Sequence, residues 1–186
     1  MSEKEKREVP VGEQGEASQL PQKMMRRRII REKVVQALYA YELSGDSIDH
    51  VIQTILTPLE DNELAYDFAK RLVIKTIEQR VEFDKVIRGK LNNWDFKRVA
   101  LLDRIILRMG ICELLYFKEI PPKVSMNEAI ELAKLFSTSR SGKFVNGVLD
   151  AVLNDIRRAG ALAKTGRGLD EGHPQYKWRR ATAKKR

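Results

Sequence analysis

The sequence predicts an all-α fold, a two-lobed bundle of about seven helices, on three observations. Apolar residues recur at i, i+3, i+4 and i+7 through most of residues 25–158, the spacing of a buried helix face. No alternating apolar–polar run is long enough for a strand. The breaks between periodic stretches carry helix stop and start residues: Ser44-Gly45, Thr57-Pro58, Asn92-Asn93, Pro121-Pro122 and Ser137-Thr138-Ser139.

Taken in order, residues 25–44 form the first helix, with Ile30, Val34, Ala37 and Tyr41 as its core stripe. A shorter helix covers about 47–57. Asp61 or Asn62 starts a long helix that reaches Leu91, and a turn around 95–99 leads into the apolar helix 101–117. Pro121-Pro122 stops the chain. Ser125 with Glu128 reads as a capping box opening helix 125–137. The last helix runs over about 140–158, where Val145, Val148, Leu149, Val152 and Ile156 make one stripe. Gly147 inside it costs about 1 kcal/mol relative to alanine, so close approach of another helix is expected there. The two lobes span about 24–91 and 95–158.

The ends differ from this middle. Residues 1–23 hold five acids, four bases and two prolines and read as a disordered leader. Residues 159–186 hold eight bases and two acids, a basic tail also expected to be disordered.

Bulk composition narrows the function. The 186 residues carry 35 Lys and Arg against 26 Asp and Glu, a net of +9, with a pI near 9.7. An anionic partner follows from that balance. No apolar run approaches the roughly 18 residues of a membrane span, and the N-terminus has no apolar signal-peptide core. A cytoplasmic protein is expected. The single Cys112 excludes an internal disulfide and a Cys-based zinc site. His50 and His173 are the only histidines, and no Gly-rich phosphate loop or metal-ligand cluster is present. The chain reads as a non-enzyme without a cofactor.

Three stretches carry the candidate chemistry. On the first helix, with Arg28 at 0° on a wheel, Glu32, Val35 and Tyr39 fall within about 40° and Arg31 about 60° away. Arg28, Arg31 and Tyr39 thus share the expected solvent side, with Arg27 on the flank. Arginines contact phosphates, and an exposed tyrosine stacks unpaired bases; a solvated basic face with Tyr39 covering a loop is the alternative. On the last helix, Lys143 and Phe144 occupy the first turn, where free N–H groups favour an anion. Phe144 lies off the apolar stripe, so it either meets a nucleotide or seals the gap to helix 125–137 against Phe136. In helix 101–117, Asp103 and Arg104 near the start face solvent or a protein partner, while Arg108 and Glu113 belong to internal ion pairs.

PPKVSMNEAIELAKLFSTSRSGKFVNGVLDAVL resembles the C-terminal signature of the NusB family of transcription antitermination proteins. The match lies in Met126-Asn127-Glu128-Ala129-Ile130-Glu131-Leu132-Ala133-Lys134 and in Lys143-Phe144-Val145-Asn146-Gly147-Val148-Leu149-Asp150. RRRIIREKVVQALYAYEL is similar to the family's Arg-rich first helix, and DRIILRMGICELLY to its D-r-x-I-L-R-x-a-x-y-E-L segment. The resemblance spans about residues 24–157. It implies a two-lobed helical fold, no enzymatic activity and no cofactor. The implied partners are single-stranded boxA-like RNA of the ribosomal-RNA leader, the ribosomal protein NusE and the transcribing RNA polymerase complex. The implied RNA-facing residues are Arg27, Arg28, Arg31, Gln36 and Tyr39, with Phe136, Lys143 and Phe144 as a second patch. The NusE-facing surface falls around residues 95–104, including Asp103. Met126 stands where the family has Ile, and Cys112 where an aromatic is common. Two rival readings are a NusB-like domain of a ribosomal-RNA methyltransferase and a helical protein-interaction module. The first needs a catalytic domain for which the tail is too short.

Overall fold

Each helix starts and stops where the local chemistry allows it. The computed structural model describes residues 19–91 and 95–162, and among these there are seven α-helices and no strand. They are α1 (Gln19–Ser44), α2 (Ile48–Leu56), α3 (Glu63–Glu78), α4 (Arg80–Arg88), α5 (Leu101–Tyr116), α6 (Pro122–Phe136) and α7 (Ser139–Arg158), with 3₁₀ turns at Thr57–Leu59 and Phe96–Arg98. Ser47 caps α2 by accepting from the His50 N–H at 3.2 Å, and Asn62 caps α3 by accepting from Ala65 at 3.1 Å. These bonds satisfy donors that a helix start leaves free. After α1, Gly45 takes a positive φ of 72°, a conformation that glycine enters at no steric cost.

Three expectations change. The long helix expected from residue 61 to 91 is two helices, because Gln79 leaves helical geometry at φ −99°, ψ 8°. No glycine or proline marks the break; it lets α4 turn Phe83 and Ile87 fully into the core. Helix α6 begins three residues before Ser125, with Pro122 in its first turn. Proline suits that position, where its missing N–H has no partner to lose. The expected capping box therefore does not form. The expected leader contains the start of α1, and Ala159–Leu162 of the expected tail fold back: Ala161 N–H donates to Ile156 O at 3.0 Å and its side chain is buried. The remainder of both tails, residues 1–18 and 163–186, lies outside the described residues.

Helix α5 is the axis of the bundle. Every residue from Ile105 to Leu114 is buried, as its all-round apolar sequence anticipates. It packs against α1, α3 and α4 on one side and α6 and α7 on the other. Gly110 makes that possible, since a Cβ there would stand 3.0 Å from Leu149 Cδ1 and 3.5 Å from Ala129 Cβ. The predicted α7 stripe is the observed one: Val145, Val148, Leu149, Val152 and Ile156 are all buried. Gly147 is exposed, and a Cβ on it would meet nothing within 4 Å, so the expected close helix approach is absent there. It occurs instead at Gly142, whose Cβ would stand 2.9 Å from Lys134 Cγ on α6.

Candidate nucleic-acid interface

The exposed face of α1 is rotated from the expected one. Val34, Val35, Ala37 and Leu38 are buried, and so is Arg31, at 2% exposure. Gln36 and Tyr39 are exposed, as is Arg27 near the helix start. Arg28 is half-exposed, while Ile30 and Tyr41, expected in the core, are only partly covered. The wheel thus placed Arg31 and Val35 on the wrong side. Once Val35 is recognised as a core residue, Arg31, one turn before it, must point inward too.

A buried arginine needs an acid, and α5 supplies it. Arg31 Nε donates to Glu113 Oε1 at 2.6 Å and Nη2 to Oε2 at 2.9 Å. The two-pronged geometry matches a guanidinium to a carboxylate. Its third nitrogen, Nη1, donates to the Arg27 carbonyl at 3.3 Å, and the guanidinium carbon lies 5.3 Å from the Phe68 ring centroid. Ser125 on α6 donates to Glu113 Oε2 at 2.9 Å. Glu113 is therefore the internal structural residue expected, with Arg31 rather than Arg108 as its partner. Arg108 pairs instead with Asp84 at 2.6 Å and Glu42 at 2.7 Å.

One turn along α6 from Ser125, Glu128 is buried and accepts from Arg28 Nε at 3.3 Å. Ser125 and Glu128, three residues apart, thus share a helix face; Ser125 reaches Glu113 on α5 and Glu128 reaches Arg28 on α1. Their spacing serves contact between helices rather than a cap. Further along the same helix, Lys134 donates to Glu131 at 2.6 Å. That bond, joined by the charges of Lys134 and Arg28, holds the Glu131 carboxyl below its ordinary range.

The second patch forms where α6 hands over to α7. Thr138 caps α7, its hydroxyl accepting from the Ser141 N–H at 3.1 Å. The close α6–α7 approach at Gly142 sets the next two residues, exposed Lys143 and half-buried Phe144, beside the C-terminal end of α6. Phe136, the last residue of α6, is also half-buried, and both phenylalanines pack in part against the core. Glu128 and Phe136 are eight residues apart on one helix, so the two patches are separated by about 12 Å along α6.

Asp103 and Arg104 do not form a surface charge pair. Asp103 is 7% exposed, and its Oδ2 accepts from Ser141 Oγ at 3.0 Å. Ser141 Oγ also lies 2.9 Å from Ser137 Oγ and 3.0 Å from Thr138 Oγ1. Asp103 therefore ties the start of α5 to the start of α7. Arg104 is half-buried, its guanidinium carbon 5.5 Å from the Phe96 ring centroid. Sequence reasoning also missed Glu128 as a partner of α1 and Ser125 as a partner of Glu113 on α5. The available signal was Glu113, an acid in the middle of a helix apolar all round, which has to be met by a buried cation.

Among the described residues no group of three His, Cys, Asp or Glu side chains is placed to hold a metal, and no helix is long and apolar enough to cross a membrane. The cysteine is buried within α5, and burial pushes its thiol up to about 12.

The known proteins that this chain resembles in helical arrangement and sequence include transcription antitermination proteins. A transcription antitermination protein NusB of Salinibacter ruber is 47% identical over 147 residues, covering 78% of this chain and 92% of that protein. One of Chloroherpeton thalassium is 42% identical over 144 residues, covering 77% and 68%. The T. maritima NusB structure superposes with a TM-score of 0.64 at 35% identity, over 69% of this chain and 90% of that one. A NusB chain solved with NusE and double-stranded RNA gives 0.63 at 29% identity, over 70% and 98%. Residues 28–154 match the NusB family model, and the chain belongs to the NusB family. Its members are antitermination factors and not enzymes.

Proposed function

We propose that the protein binds boxA-type RNA of the ribosomal-RNA leader together with NusE, as an antitermination factor on the transcribing polymerase in the cytoplasm. The observation that carries this reading is the Arg28–Glu128 contact, which brings the exposed side of α1 against the helix that ends in the second patch. Arg27, Arg28, Gln36 and Tyr39 then form one half of the RNA surface, and Phe136, Lys143 and Phe144 the other. Arg31 has no direct part, because it is buried and its guanidinium is held by Glu113 and the Arg27 carbonyl. Exposed Tyr39 and the uncovered parts of Phe136 and Phe144 suit unpaired bases, which stack on aromatic faces. That favours a single strand over the duplex in the solved NusB–NusE complex.

The NusE side is proposed around residues 95–104. Arg104 contributes directly there, while buried Asp103 shapes the surface through Ser141. Titration of a boxA-like single strand, its scrambled counterpart and a boxA duplex, each with and without NusE, tests the reading. The boxA single strand is expected to bind tightest, with NusE strengthening it and affinity falling steeply with salt. Equal affinity for all three RNAs, unchanged by NusE, would refute it.

A further inference from the structure

Glu128 is an acid facing a surface expected to attract phosphates. By charge alone it should oppose RNA. Its setting indicates another role. It is buried on α6, whereas the Arg28 side chain is 41% exposed. Among the described side chains, only Nε of Arg28 is engaged, at 3.3 Å. The two terminal nitrogens, the fork that grips a phosphate in two-pronged fashion, make no bond within residues 27–91 and 95–162, whose side chains are described.

We propose that Glu128 is a positioning residue for RNA: it holds Arg28 by its inner nitrogen and presents the outer edge of the guanidinium to the phosphate backbone. This rests on the RNA reading above. A free arginine side chain samples many rotamers and loses that freedom on binding; one already held in place loses less. Burial makes the anchor effective, since a carboxylate shielded from water attracts a guanidinium more strongly. The surroundings also offer a wrong alternative. Glu131, one turn along α6, already feels the Arg28 charge, so an Arg28 released from Glu128 would swing toward it and away from the RNA. Ser125 and Glu113 are unaffected by this step, because Arg31 holds α1 in place independently.

The test uses opposite signs. Glu128→Met keeps the length and buried volume but removes both charge and acceptor. If Glu128 acts only as a nearby negative charge, its loss tightens RNA binding. If it positions Arg28, binding weakens by about threefold to tenfold, the scale of ordering one long side chain. The full-length chain is titrated with a fluorescent boxA-like single strand over a salt series, as wild type, Glu128→Met, Arg28→Ala and the double variant, below every melting transition. The expected result is weakening by Glu128→Met on the wild-type background, a salt slope shifted toward that of Arg28→Ala, and almost no effect on the Arg28→Ala background. A purely structural role would lower melting without moving the slope. Tightened or unchanged affinity on the wild-type background overturns the proposal, as does equal weakening on both backgrounds. Should the Met variant fail to fold, Glu128→Ala on the same two backgrounds is read by the same criteria. If Arg28→Ala itself leaves RNA affinity intact, the RNA reading of α1 has failed, a result distinct from any of these.

Discussion

The pair Arg28 and Arg31 lies one helical turn apart, and the structure gives the two residues opposite roles. Removing Arg31 as Arg31→Met takes the guanidinium away from Glu113, which is 1% exposed, while Ser125 still donates to it. Breaking a buried pair by deleting one partner costs about 3–5 kcal/mol, a large part of the 5–15 kcal/mol that holds a typical domain together. At 2–4 °C per kcal/mol for a chain of this size, melting should fall by about 6–20 °C. Arg28→Ala breaks a contact that is half-exposed on the arginine side but takes a donor from the buried Glu128, and should cost less, about 1–3 kcal/mol. Urea unfolding followed by circular dichroism measures both. The cycle closes with Glu113→Met and the double Arg31→Met/Glu113→Met. Each single change is expected to cost several kcal/mol, and the double far less than their sum, because no charge is left stranded. A loss below about 1 kcal/mol for Arg31→Met, or additive losses in the double variant, would refute the buried pair.

Phe144→Leu should leave melting nearly unchanged, since the ring is only half-buried, while boxA affinity falls by about 1–3 kcal/mol, the worth of a base stacked on an aromatic face; unchanged affinity by titration removes Phe144 from the site. Gly147→Ala should stabilise the protein by about 0.5–1 kcal/mol, because a Cβ meets nothing within 4 Å; a lower melting temperature contradicts the placement of Gly147. Asp103→Lys should destabilise the fold by at least about 1–3 kcal/mol, since it removes the carboxylate that accepts from the buried Ser141 hydroxyl and puts a cation in its place; a pure loss of NusE affinity with native melting would place Asp103 at the surface after all. Cys112, with its thiol raised to about 12, keeps its proton more tightly folded than unfolded. Its stabilising share is thus complete below about pH 9 and lost as pH climbs toward 12. Wild type should lose stability faster than Cys112→Ala across that window, and parallel pH profiles would count against it.

What could be read from the sequence follows how each signal is encoded. The α7 stripe was legible because five apolar positions repeat at helical spacing with nothing to compete. α5 was legible as the core helix because it is apolar all round. The α1 wheel failed because an arginine was taken to prefer water, which set the zero of the wheel at a residue beside the buried face. Val34, Val35 and Leu38 carried the correct orientation, and Glu113 carried the reason for Arg31. The pairing joins residues 82 apart in sequence, so no local window holds both halves. Ser125 and Glu128 fit a capping box by spacing alone, but two prolines upstream had already begun the helix. The glycines failed for a similar reason. A mid-helix glycine signals something close by, yet only the packing decides that Gly110 and Gly142 meet neighbours while Gly147 meets none.

The ion pairs that Arg28 and Arg31 make from α1 also bear on how the proposed RNA face is aimed. An apolar stripe of Val34, Val35, Ala37 and Leu38 buries α1 but tolerates rotation of the helix by a fraction of a turn, because apolar contacts have little directionality. Directional bonds remove that freedom. Arg31 reaches α5 and Arg28 reaches α6, and the two acids approach from different helices. A rotation that kept one pair would break the other and strand a buried carboxylate. With the azimuth set in this way, Gln36 and Tyr39 emerge on the exposed side. Buried ion pairs are often replaceable by apolar residues with no loss of stability, so their presence here is better explained by aim than by strength. The double variant Arg31→Met/Glu113→Met separates the two. If aim is the function, the variant melts near the wild type but binds the boxA strand more weakly for each folded molecule. Native affinity in a fully stable double variant would show that the Arg31–Glu113 pair is not needed to orient α1.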